Sequence, residues 1–146
     1  RPDVPASCQA VQWLAFASNA FNTLVPFYAA VDETPEYLAN TTKEVSTENF
    51  YWSARMIAAM ADASFAKSAI HIERYQNAVQ AKGHALLRKY DAEAAKITDP
   101  AESRRLLEKA NREIAKMLKE ETGNTLDHVL FELSNSMKNA FSRSDA

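Results

Sequence analysis

A short polar loop, Ser18-Asn19-Ala20-Phe21-Asn22, carries the side chains best suited to chemistry in this sequence. An asparagine amide can donate to a developing oxyanion or hold a substrate carboxylate. The same residues also suit a plain turn, because Asn tolerates unusual backbone angles. On residue types alone the plain turn is favoured. Cys8 is the one thiol. No His is near it in sequence, although His71, His84 and His128 can reach it through the fold. A nucleophile that uses its own α-amine as base must be the first residue. Cys8 stands too far along for that, so an ordinary buried or half-buried thiol is expected. The histidines lack metal-ligand spacing, and His71 and Glu73 face apart on a helix. Neither a metal nor a cofactor is expected.

Composition narrows the classes further. Of 146 residues, 47% are apolar and 25% charged, the balance of a globular domain. A formal net charge of −2 leaves no basic excess for a phosphate backbone, which argues against nucleic acid. Two glycines leave no material for a Gly-rich phosphate loop. No apolar run reaches the roughly 18 residues of a membrane span. A single cysteine rules out an internal disulfide and fits a reducing, cytoplasmic setting. An opening of Arg1-Pro2-Asp3-Val4-Pro5 reads as the interior of a longer chain.

The elements that must carry the loop come in two kinds. Residues 1–45 read as strand, loop, strand and connection. Val11–Ala17, with Trp13 and Phe16, suits a buried strand, and Thr23–Ala29 a second one. Pro26 cannot donate to a ladder, so the second strand lies at an edge or carries a bulge. Residues 32–45 read as irregular. From Ser46 the period turns helical over 46–146. Phe50, Ala54, Ile57, Ala58, Ala61 and Phe65 form one stripe, with Ser46 or Thr47 as cap. A stretch over 67–96 places Ile70, Tyr75, Val79, Leu86, Leu87 and Tyr90 inward, with Gly83 as its weak point. Asp99-Pro100-Ala101-Glu102 starts a helix that Gly123 should stop. A last helix from Thr125 would bury Leu126, Val129, Leu130, Leu133, Met137 and Phe141. The mixed charges between Arg104 and Glu121 read as a solvated face. The fold class is α+β, two strands followed by three or four helices. Two strands cannot form a stable sheet alone.

Several segments in order resemble a known family: Gln12-Trp13-Leu14-Ala15-Phe16, the 18–22 loop, Val25-Pro26-Phe27-Tyr28, Asp32-Glu33-Thr34-Pro35 and Ser46-Thr47-Glu48-Asn49-Phe50-Tyr51-Trp52. Over about residues 1–97 the chain resembles the C-terminal region of the dipeptidase A and secernin family of cysteine peptidases. The resemblance implies an N-terminal-nucleophile hydrolase with a four-layer αββα sandwich, acting on dipeptides. It also implies a cysteine nucleophile exposed at the mature N-terminus. Arg1 opens this chain instead, so that nucleophile is expected upstream and the segment is expected to be inactive alone. Ser18, Asn19 and Asn22 are then candidates for lining the substrate site. Cut strands would leave open edges, so homo-oligomers are expected. The alternative is a self-standing helical interaction domain without catalysis. Residues 11–29 separate the two, since the first reading needs paired strands there.

Overall fold

A 3-10 turn at Ala6–Cys8 precedes two antiparallel strands, β1 (Val11–Leu14) and β2 (Val25–Tyr28), in a computed structural model that describes residues 1–138. Helices follow: a single turn α1 (Glu36–Ala39), then α2 (Phe50–Ala63), α3 (Phe65–Ala94) and α4 (Pro100–Asn135). The fold class is α+β as read from the sequence, and the paired strands are what the fragment reading requires of residues 11–29. Phe141 lies outside the described residues.

Both strands are shorter than their apolar runs. β1 ends at Leu14 because the chain turns at Ala17, which sits at φ 73°. Phe16 therefore leaves the ladder and stacks on Phe50, 5.0 Å between ring centroids. β2 is buried along its whole length, whereas Trp13 on β1 is 40% exposed instead of buried. The register pairs Val11 with Tyr28, Gln12 with Phe27, Trp13 with Pro26 and Leu14 with Val25. The Ala29 N–H donates to the Ala10 carbonyl at 3.0 Å, which makes Val11–Tyr28 and Trp13–Pro26 the non-hydrogen-bonded pairs. Pro26 thus occupies a position whose N–H would point off the outer edge. It costs the ladder nothing there.

The neighbouring outward position on β2 is Tyr28, and α4 closes it. Asn111 Oδ1 accepts from the Tyr28 N–H at 2.9 Å, and Asn111 Nδ2 donates to the Tyr28 carbonyl at 3.0 Å. A side-chain amide thus makes the two bonds that a further strand would make. Asn111 is 2% exposed, so its amide has no competing water.

Helix ends follow local chemistry. Asn49, not Ser46 or Thr47, caps α2: its Oδ1 accepts from the Trp52 N–H at 2.9 Å. Ser46 Oγ is occupied by the Glu48 N–H, and Thr47 offers its carbonyl to Ser53 Oγ. Asp99 caps α4 through the Glu102 N–H at 3.3 Å, with Pro100 at the first helical position, as its sequence predicts. A break at Ser64 separates α2 from α3, so Phe65 starts a new helix at 57% exposure and does not extend the buried stripe of α2.

Both glycines lie inside helices. Gly83 does not weaken α3: a Cβ there would meet Pro26 Cδ at 2.9 Å, so the missing side chain lets α3 lie against β2. Gly123 does not stop α4, which continues to Asn135. Just before it Thr122 bonds Tyr75 of α3 at 2.8 Å, and just after it Thr125 and Val129 are buried. This packing against α3 outweighs a glycine's helix cost of about 1 kcal/mol. The inner face of α4 runs through Leu107, Ala110, Ile114, Leu118, Thr122 and Val129, and that of α3 through Ile72, Tyr75, Val79, Leu87 and Tyr90. Ile70, Leu130 and Met137 fall off those stripes and are about half exposed or more, at 46%, 50% and 62%.

Candidate functional site

The 18–22 loop hangs between β1 and β2 and is tied down from both sides. The Ser18 carbonyl accepts the N–H groups of Phe21 and Asn22, each at 3.0 Å, which closes a tight turn. From α3, Gln76 Nε2 donates to the Asn22 carbonyl at 2.8 Å. Phe21 sets its ring edge-on to Phe65. Ala17, the residue that enters the turn, holds a left-handed backbone that costs a non-glycine residue about 1–2 kcal/mol. Ala17→Gly is therefore expected to stabilise the chain by roughly 1 kcal/mol, after the extra freedom of glycine in the unfolded state is subtracted. Thermal unfolding of the two proteins checks the sign.

This turn splits the three polar side chains. Asn22 lines a cleft of about 340 Å³ with Trp13, Thr23, Leu24, Gln76, Gln80 and His84. That volume is at the lower end for small-molecule sites, about 300–1,000 Å³. Trp13 and His84 form one wall, their rings 5.1 Å apart and tilted by 50°. Thr23 is 2% exposed, and its hydroxyl has no hydrogen-bond partner among the described residues. Ser18 faces a second cleft, of about 680 Å³, with Ala17, Phe21, Arg55, Ala58, Ala59 and Asp62. Asn19 is exposed and lines neither. The first cleft offers amides, an imidazole and an apolar wall, which suit a peptide group. The second offers a cation and an anion two helical turns apart, about 10 Å along the axis. Residue types in the sequence point to the loop. The glutamines on α3 show no signal there, because they reach the loop only through the packing of α3.

Cys8 is fully buried, and desolvation pushes its thiol above the usual range. Arg1 donates to the Cys8 carbonyl at 2.8 Å rather than to the sulfur, and Ser7 Oγ lies 3.9 Å from Sγ. Among the described residues no histidine hydrogen-bonds to it. Cys8 is thus a buried thiol, as the sequence reading expects. His71 and His128 meet across α3 and α4, with centroids 4.9 Å apart, nearly parallel. His71 Nε2 lies 3.1 Å from Glu132 Oε1, and His128 Nδ1 2.7 Å from the Asn124 carbonyl. Among the described residues no group of three or more metal-ligating side chains comes together.

The family model that covers residues 1–78, more than half of the chain, is that of peptidase family C69. The chain belongs to peptidase family C69. Its relatives extend the match over the helices that carry no motif of their own. A dipeptidase of Bifidobacterium longum is 38% identical over an alignment covering 99% of this C69 chain and 34% of the relative. A probable dipeptidase A of Streptococcus pyogenes is 40% identical, with 99% of this chain and 30% of the relative covered. A probable dipeptidase B of Lactococcus lactis is 38% identical over 44% of this chain. The C69 chain thus spans about a third of the length of the first two relatives. Among the described residues no helix is long and apolar enough to cross a membrane.

Proposed function

We propose that residues 1–146 are the C-terminal third of a cysteine dipeptidase whose nucleophile lies upstream of Arg1. The observation that carries this reading is the match to dipeptidases across 99% of the chain. In the assembled enzyme an N-terminal cysteine thiol attacks the scissile carbonyl, and its own α-amine takes the proton. Hydrogen-bond donors stabilise the resulting oxyanion. The α-ammonium returns that proton to the leaving nitrogen as the tetrahedral intermediate collapses and the C-terminal amino acid departs, and water then hydrolyses the thioester to free the first amino acid and the thiol. Residues 1–45 contribute two strands to a four-layer αββα sandwich, and residues 46–146 contribute helical cover. Asn22 lines the substrate side from the inter-strand turn, with Ser18 facing the second cleft and Asn19 exposed between them. As part of its parent the segment works in the cytoplasm; cut free of it, the piece is inactive and associates with other copies through its open strand edge.

Support for an upstream nucleophile comes from the burial of Cys8, since the reactive form of cysteine is the exposed thiolate. Iodoacetamide at neutral pH is therefore expected to label Cys8 slowly, and rapidly only after denaturation. Cys8→Ala in the longer polypeptide is expected to leave dipeptide hydrolysis within about twofold of the parent. Fast labelling in the native state, together with loss of activity in the alanine variant, would make Cys8 the nucleophile and end this reading.

A further inference from the structure

We propose that the sheet continues across β1 and not across β2, and that its next strand is an extended segment of the longer polypeptide outside residues 1–146. This inference rests on the reading of the chain as part of a dipeptidase. The register decides which edge is open. In an antiparallel pair, residues of the non-hydrogen-bonded positions turn their N–H and C=O groups away from the partner strand. On β2 those residues are Pro26 and Tyr28. Pro26 has no N–H to give, and both Tyr28 groups are taken by Asn111. One carbonyl is all that the β2 edge still offers. A strand cannot dock there without displacing α4.

On β1 the outward residues are Val11 and Trp13. Among the described residues no hydrogen bond reaches their backbone groups, so two donors and two acceptors stand in a row along this edge. Buried or half-buried backbone groups are costly to leave unpaired, and an exposed edge is a template for strand addition. Beside it Trp13 is 40% and Leu24 54% exposed, an apolar pair that a neighbouring strand would cover. A two-stranded sheet is at best marginal by itself, which calls for at least a third strand. The occupant follows from length. Relatives align to this chain over only 30–34% of their own residues, so most of such a polypeptide is available to supply the strand. Strand addition of this kind draws its affinity from main-chain bonds and its register from alternate side-chain pockets.

Residue-resolved amide exchange on the longer polypeptide tests the proposal. Gln12 and Leu14 donate inward to β2, so their slow exchange reports that the β1–β2 ladder is intact. Val11 and Trp13 are expected to exchange about 100-fold or more below their unprotected rate, equal at low and high protein concentration. Slow Gln12 and Leu14 with fast Val11 and Trp13 would overturn the proposal by leaving the β1 edge open. Protection of Val11 and Trp13 that grows with concentration and follows a dimeric fraction would also overturn it, by assigning the edge to a second copy. A longer polypeptide that protects both amides but cleaves no dipeptide would leave the strand placement standing and remove the dipeptidase reading.

Discussion

Asn111→Ala is expected to cost the folded chain about 2–6 kcal/mol, because it orphans two buried backbone groups at about 1–3 kcal/mol each. Asn111 is the only source of partners for the Tyr28 N–H and carbonyl among the described residues, and both bonds are short and buried. A methyl group cannot replace either. Water cannot easily enter, since Asn111 and Tyr28 are 2% and 1% exposed. The loss also loosens α4 from β2, and with it the Tyr28 hydroxyl, whose one hydrogen lies between Asp91 Oδ1 at 2.8 Å and the Leu87 carbonyl at 3.0 Å. Asn111→Asp sharpens the test. At neutral pH an aspartate keeps the acceptor for the Tyr28 N–H but places a negative charge against the Tyr28 carbonyl. Protonation restores a donor, so the deficit relative to the parent should shrink as pH falls toward the carboxyl range. Denaturant unfolding of the three proteins at pH 7 and at pH 4 to 5 reads both effects. Equal stability of parent and Asn111→Ala would mean that the amide is not sealing the β2 edge.

Gly83→Ala is expected to destabilise the chain, against the general preference of helices for alanine. Replacing a mid-helix glycine by alanine gains about 1 kcal/mol from propensity. At position 83 the new Cβ would sit 2.9 Å from Pro26 Cδ and 3.1 Å from Cγ. Those atoms belong to a ring fused to the backbone of β2, so they cannot swing aside as a flexible side chain would. Overpacking of this sort costs typically about 1–3 kcal/mol and more for larger residues, so Gly83→Leu should be worse still. Gly123→Ala is the matched control. Nothing lies within 4 Å of a Cβ there, and the propensity gain of about 1 kcal/mol should appear undiminished. For a chain of this size each kcal/mol moves the melting temperature by about 2–4 °C. The two variants should therefore shift in opposite directions, and a rise for both would mean that α3 and β2 are not in contact at this point.

The sequence was most legible where local chemistry alone decides. Asp99-Pro100 with Glu102 marks the start of α4, and Pro26 marks a strand on the outside of the sheet. Where the fold brings distant residues together, it was not. Gly123 reads as a stop because glycine often is one; only the bond of Thr122 to Tyr75 and the burial of Thr125 show why the helix runs through. Gly83 reads as weak because Pro26, its reason for being small, is 57 residues away. Asn111 sits among mixed charges and passes for part of a solvated face, though its partner is a backbone group 83 residues earlier. The loop was legible as a polar turn. That Ser18 and Asn22 would face different clefts was not, since the direction of each side chain is set by the left-handed Ala17 and by Gln76 reaching over from α3. His71 and His128 likewise meet only because α3 and α4 run side by side.

On the proposed reading, this chain supports a dipeptidase without containing its nucleophile. Hydrolysis of a small panel of dipeptides, compared between residues 1–146 and the longer polypeptide that begins at its cysteine, tests it most directly. Cleavage is expected from the longer polypeptide alone. Cleavage by residues 1–146 that Cys8→Ala abolishes would contradict it.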